Sequence, residues 1–339
     1  MISPMEPISR IDSSHNQLFF RGINALDLAR SSDFESSLYL LIHGNLPTLE
    51  QHKELFQRMI ELRKYYSENI ESLEALARNL NELKNRHLLN LHDTLLAFVS
   101  LTPLIVAHQF VESQGREADC SVKDSGHAAN FLWLARGFRP KQREINDFQT
   151  CLILHLDDPD NPSLTALQKA LDEGCNASEA IVAALSEHVD PLHHGAGTEA
   201  MLMFEAIAKP SNVRRYLQQR LDNHQKIFGL GHRIYQGIDP RAVELREILK
   251  RRTKNTCDEW LVGVADAVAM EGSALLEECK SVKAYPNVDL YNAATYYTFG
   301  FPPELNTMLF AVSRVAGWMA HIIQWYSNRE AEDYKDKRL

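Results

Sequence analysis

Residues 228–241 read FGLGHRIYQGIDPR, from Phe228 to Arg241. Gly229 and Gly231 form half of a dinucleotide fingerprint, but no strand precedes them and the third glycine is missing, so a Rossmann sheet is not indicated. What remains is a loop rich in chemical groups. Glycine lets a backbone approach a ligand closely, His232 follows directly, and Arg233 and Arg241 are charge-assisted donors suited to carboxylate or phosphate. Alone, the loop reads equally as an anion site or as a structural turn.

With the sheet reading removed, the segments on either side decide the fold class, and they carry the helical period. In LPTLEQHKELFQRMIELRKYY, Thr48 and Gln51 make a capping-box pattern, and Leu55, Phe56, Met59 and Ile60 share one face. Residues 66–92 read as a solvated helix and a connection. Gly137 and Pro140 mark a break, and DDPDNPS at 157–163 is a sharp turn before another helix. Pro302-Pro303 suits a helix start, after which Met308, Val312, Val315, Met319 and Ile322 recur at helical spacing. Arg314 lies off that stripe and, without context, reads as a snorkelling side chain. Near the start, ISRIDSSHNQLFFRG holds two short apolar runs around Ser13-Ser14-His15-Asn16, the chemistry of a small β-hairpin. The expected class is all-α with that hairpin as its sheet.

Two further stretches carry chemistry. In DPLHHGAGTE (190–199), His193 or His194 precedes small residues that open a helix; there the dipole disfavours the imidazolium, so a neutral ring can donate to a developing enolate oxygen. A metal site with Glu199 is not indicated, because this is no established ligand spacing. In KAYPNVDLYNAATYY (283–297), Asp289 sits between Val288 and Leu290; burial would make it more basic than in water, as a general base requires, although a helix cap is the simpler reading.

Bulk properties limit the alternatives. With 339 residues, more than one compact core is expected. The net charge of −9 opposes non-specific binding to nucleic acid or to an anionic membrane. The five cysteines are odd in number and lack a C-x-x-C pair, which suggests reduced thiols. Residues 1–12 show no targeting pattern, and the most apolar run, Met308–Tyr326, is interrupted by Ser313, Arg314, His321 and Gln324, so a buried helix is expected there. The expected location is the cytoplasm.

Together PLHHGAGTEA, GLGHRIYQGIDPRA and YPNVDLY are similar, in order and separation, to the three signatures of the citrate synthase family. The resemblance extends through ISRIDSSHNQLFFRG, GHAANFLW (126–133) and GFPPELNTMLFAVSRVAGWMAHI (300–322), covering nearly the whole chain. It implies a citrate synthase-like two-domain helical fold: a large domain of 1–194 and 301–339, with a small lid domain of 195–300 inserted. It further implies a homodimer that condenses acetyl-CoA with oxaloacetate or a related 2-oxo acid, without metal or cofactor, the acyl-CoA being a co-substrate. By this likeness Asp289 is the base, His193 binds the thioester oxygen and His232 polarises the ketone. Arg241 and Arg314 hold carboxylates, Asp158 and Asn161 lie at the oxo acid, and Gly229, Leu230, Gly231 and Lys283 face CoA.

The chain also departs from the family pattern. Where the family has H-A-D-H-x-x-N-A-S, this sequence has His155-Leu-Asp157-Asp158-Pro-Asp160-Asn161-Pro-Ser163, so Asp158 replaces a histidine ligand. The tail, SNREAEDYKDKRL, lacks the family's arginine context. His194 replaces a glycine, and Gln236 stands at a usually basic position. A different 2-oxo acid, of the methylcitrate or phosphonopyruvate type, and a non-catalytic CoA- or metabolite-binding protein are therefore alternatives.

Overall fold

The computed structural model describes residues 6–66, 72–87, 89–118, 124–190 and 195–336. It is 69% helical, with one small antiparallel sheet. The strands β1 (Ser9–Asp12), β2 (Gln17–Phe20) and β3 (Ile23–Asn24) pair in the order β1-β2-β3, so the expected hairpin gains a third short strand. Its turn is built by Asp12, whose Oδ1 accepts from the backbone of Ser14 at 3.1 Å and of His15 at 3.2 Å. That side-chain mimicry of a backbone turn is what Asp and Ser do well.

Helices α1 (Ala25–Ser31), α2 (Phe34–His43), α3 (Leu49–Tyr66), α4 (Leu73–Arg78), α5 (Leu80–His87) and α6 (Leu91–Ser113) follow the sheet. Next come α7 (His127–Arg136), α8 (Gln142–Leu154), α9 (Pro162–Asp172) and α10 (Ala177–His188). The rest are α11 (Ala196–Ile207), α12 (Val213–Asp222), α13 (Pro240–Thr253), α14 (Trp260–Lys280), α15 (Val288–Tyr297) and α16 (Asn306–Asp336). The capping box that opens α3 forms as read: Thr48 N donates to Gln51 Oε1 at 2.9 Å and Gln51 N donates to Thr48 Oγ1 at 3.3 Å. Gly137 closes α7 in the left-handed conformation. The described residues between 72 and 87 are less solvated than expected, because Leu73, Leu76 and Leu80 of the short α4 and α5 are buried.

The chain divides into two compact units: Met1–Arg10, Phe20–Asp190 and Met308–Leu339 form the first, and Ile11–Phe19 with Pro191–Thr307 the second. The core of the first is made by α6 and α16, which are apolar around most of their circumference; Leu95–Val99 and Ala311–Ala320 are buried without a break. The strongest apolar helix is therefore not the 308–326 run. Helix α6 is long and apolar enough to span a membrane by composition, with mean hydropathy 1.7, but 89% of that window is buried in protein. It is a core helix. In the second unit, α13, α14 and α15 enclose a smaller core of Leu245, Ile248, Val264, Val268 and Leu290. The hairpin tip belongs to this unit, where Asn16 Oδ1 accepts from Gly237 N at 2.8 Å. The four described cysteines, Cys151, Cys175, Cys257 and Cys279, are free thiols.

Candidate active site

The glycine loop and the segment before α15 are fastened to each other along their length. Leu230 and Pro286 make an isolated antiparallel bridge. Gly231 N donates to the Tyr285 carbonyl at 2.8 Å, Asn287 N to the Gly229 carbonyl at 3.0 Å and Asp239 N to the Pro286 carbonyl at 3.0 Å. The Asn287 amide adds a bond to the Gly231 carbonyl at 2.8 Å. Gly229 and Gly231 have φ of +84° and +86°, the left-handed region that favours glycine. They serve different ends. A Cβ on Gly229 would lie 2.8 Å from the Cα of Leu290, so the absence of a side chain here admits the close approach of helix α15. At Gly231 the nearest atom would be the Ala284 Cβ, at an uncrowded 4.0 Å.

His232 stands at the end of this fastened pair. Its Nδ1 accepts from the backbone N–H of Ile234 at 3.1 Å and of Tyr235 at 3.2 Å. A ring nitrogen that accepts carries no proton, so the imidazole proton sits on Nε2 as a donor. Asp289 is the second residue of α15. The helix cap is its neighbour Asn287, whose Oδ1 accepts from Asp289 N at 3.0 Å, which frees Asp289 from the capping role. Asp289 is half-buried, and the protein packed around its carboxylate pushes its pKa from 3.8 up to about 6. Desolvation is the main cause; Asp239 adds to it and Arg241 opposes it.

The charge of Arg241 does not cancel the effect of burial, and the structure shows where that charge is engaged. Arg241 is buried and turned to Asp239, to which its Nε donates at 3.0 Å and its Nη2 at 2.8 Å. Asp239 also caps α13 by accepting from Arg241 N at 2.9 Å. The family resemblance makes Arg241 a carboxylate anchor; in the structure it is paired with Asp239. Together Asp289 and the Nε2–H of His232 supply a basic carboxylate and a neutral donor, the pair needed to remove a weakly acidic proton and polarise a carbonyl.

A cavity of about 650 Å³ opens beside the loops. Gly229, Leu230 and Gly231 line it, as does the start of α11 at Gly195 and Ala196. Lys283 is exposed and not part of this wall; Lys226 and Lys280 are, and sequence reading missed both. His193 and His194 lie outside the described residues. Among the described residues, no group of His, Cys, Asp or Glu is placed to hold a metal ion.

The remaining predicted positions lie in the first unit. Asp158 is half-buried and its Oδ1 accepts from Asp160 N at 3.2 Å. Asn161 caps α9, its Oδ1 accepting from Ser163 N at 3.0 Å. Arg314 is buried, not snorkelling, and its charge acts on the buried Asp157. Asp157 Oδ2 accepts from Ser9 Oγ at 2.5 Å and pairs with His321 Nε2 at 2.9 Å. Burial alone would raise the pKa of Asp157, but His321, Arg314 and the Ser9 bond more than offset that, holding it below the ordinary carboxylate value. Neither Asp157 nor His321 was singled out from the sequence. The available signal was the spacing of Arg314, Gly317 and His321 on one helix face.

A family model described as citrate synthase, C-terminal domain, matches residues 5–332. Citrate synthase 2 of Bacillus subtilis (strain 168) is 32% identical over 333 residues, which cover 92% of this chain and 87% of that protein. The citrate synthase of Synechocystis sp. is 30% identical, covering 93% of this chain and 83% of that protein. Among solved structures, citrate synthase from Thermotoga maritima superposes with a TM-score of 0.80 at 28% identity, covering 95% of this chain and 89% of the other. Citrate synthase from Thermoplasma acidophilum, in a ternary complex with carboxymethyl coenzyme A and oxaloacetate, gives a TM-score of 0.81 at 25% identity, covering 96% of this chain and 90% of the other.

Proposed function

The chain belongs to the citrate synthase family, and from that premise we propose which of its residues carry the family's reaction. The enzyme is an acyltransferase that condenses acetyl-CoA with oxaloacetate or a related 2-oxo acid and releases CoA. The Asp289 carboxylate takes a proton from the acetyl methyl group, and His193 donates to the thioester oxygen of the resulting enol. The enol carbon forms a bond to the ketone carbon of the oxo acid, and the ketone oxygen takes up a proton at the His232 Nε2–H. Water then adds to the thioester and the CoA thiol departs. Gly229, Leu230 and Gly231 lie along the CoA, with Lys226 and Lys280 near its anionic part, and Arg314 grips a carboxylate of the oxo acid.

One observation carries the assignment: a carboxylate pushed up to about 6 stands on the segment fastened to the loop that fixes the His232 tautomer. A base whose pKa lies close to working pH is effective in proton abstraction. The test is thiol release by purified protein given acetyl-CoA and, separately, oxaloacetate, pyruvate, 2-oxobutyrate, 2-oxoglutarate and phosphonopyruvate, with Asp289→Asn beside it. Release that Asp289→Asn abolishes is expected; release that persists in the variant removes Asp289 from its role.

Asp158, in place of a family histidine, favours a narrower proposal, that an oxo acid other than oxaloacetate is turned over fastest. It also supports a second reading, a CoA- or metabolite-binding protein without turnover, which acetyl-CoA binding by calorimetry with no thiol release on any acid would favour. A cytoplasmic homodimer belongs to the same proposal, supported by the family resemblance and the free thiols, and light scattering on a sizing column tests the dimer.

A further inference from the structure

Arg314, Gly317 and His321 are three and four residues apart, so they share one face of α16. That face lies against Leu156 and Asp157. A Cβ on Gly317 would overlap the Leu156 carbonyl oxygen and come within 2.7 Å of Asp157 Oδ1, so the absence of a side chain is what lets the helix close on this segment. Asp157 is wholly buried, and its two oxygens are used differently. Oδ2 takes the bonds from Ser9 and His321, while Oδ1 accepts no hydrogen bond among the described residues. Arg314 and Arg21 both act on Asp157 through their charge. Arg21 is fixed independently, donating from Nε to the Leu41 carbonyl at 2.9 Å and from Nη1 to the Glu6 carbonyl at 2.6 Å.

A guanidinium 1% exposed keeps its charge only where an anion compensates it, and a buried carboxylate is a reliable anion only when donors hold it ionised and oriented. His321 is the donor at the accessible end of this arrangement, with 15% of its side chain exposed. We propose that Asp157 and His321 are positioning residues: His321 orients Asp157, and Asp157 sets the Arg314 guanidinium for a carboxylate of the 2-oxo acid. The inference rests on the reading above that Arg314 grips that carboxylate. It also accounts for the sequence order: the turn that presents Asp158 begins at the residue clasped by α16, so the clasp fixes both the anchor and the turn.

The test compares Asp157→Asn, His321→Leu, His321→Gln and Arg314→Lys, measuring kcat, both KM values and the unfolding midpoint. Losing one hydrogen bond to a buried charge predicts that His321→Leu and Asp157→Asn raise the KM for oxaloacetate about tenfold or more, with the KM for acetyl-CoA within about twofold. Glutamine can place an amide N–H near the position of a histidine Nε2, so His321→Gln restores the oxaloacetate KM to within about threefold. A merely structural role predicts instead that both KM values and kcat worsen together with the midpoint, without rescue, and that result overturns the inference. If Asp157→Asn does not fold, the two His321 variants decide alone. Unchanged oxaloacetate KM in Arg314→Lys defeats the anchor assignment and this inference with it. A raised KM in Arg314→Lys beside unchanged values in His321→Leu defeats the positioning inference only.

Discussion

Asp157 in the first unit and Asp289 in the second are both carboxylates withdrawn from water, and they are driven in opposite directions. Asp157 receives two hydrogen bonds on Oδ2 and the charge of Arg314, and stays ionised below the ordinary range. Asp289 has one nearby cation, Arg241, which Asp239 already holds, and among the described residues no hydrogen bond reaches its carboxylate. Its pKa rises to about 6. Burial alone therefore says little about a carboxylate. What decides is whether the donors that replace water are aimed at it or at a competitor.

The comparison is broken most directly by asparagine at each position. Asp289→Asn is expected to lower kcat by about a thousandfold, the scale of a lost general base, in steady-state thiol release. Asp157→Asn is expected to retain most of kcat at saturating oxo acid. Comparable kcat losses in both variants would erase the distinction.

The next largest effect is on stability, where the two changes should have opposite signs. In urea unfolding at pH 8, Asp157→Asn is expected to destabilise by about 3 kcal/mol, as when one partner is removed from a buried pair. Asp289→Asn is expected to stabilise by on the order of 2 kcal/mol, because a raised carboxylate pKa is a cost to the folded state above it. That gain should shrink as pH falls from about 6 towards 3.8, where the unfolded chain also becomes protonated. The contribution of Asp157 runs the other way: present above the ordinary carboxylate pKa, it is lost only as pH falls through its lower folded value.

A smaller effect sharpens the functional half of the contrast. A base must be ionised to accept a proton, so kcat/KM should fall about tenfold per pH unit below about 6 and level off above it. A limb near 4 would mean that Asp289 is solvated like an ordinary carboxylate.

The features legible in the sequence were those encoded within a few residues. Thr48 and Gln51 cap α3 through mutual bonds three residues apart, Asp12 builds the hairpin turn, and Gly229, His232 and Asp289 stood out by local composition. The packing reason for glycine at 229 was not legible, because the atom that demands it belongs to Leu290, 61 positions on by sequence number. The pairing of Arg241 with Asp239 was not read although Asp239 lies two residues away, since D-P-R can be a cap, an ion pair or both, and here it is both. The spacing of Arg314, Gly317 and His321 put them on one helix face, but that His321 meets Asp157 depends on how α16 packs against the segment after α8, which no local spacing specifies. Lys226 and Lys280 became wall residues for the same reason.

The bonds between 229–231 and 285–287 have a consequence for anyone rebuilding this enzyme. His232 and Asp289 come from separate stretches of chain, yet they are mounted on one mechanical part. A graft that exchanges 228–241 alone would carry a histidine loop whose counterpart no longer fits beneath it. The unit of transplantation is the pair of segments, 228–241 with 284–290, and recombination points for a chimaera belong outside both.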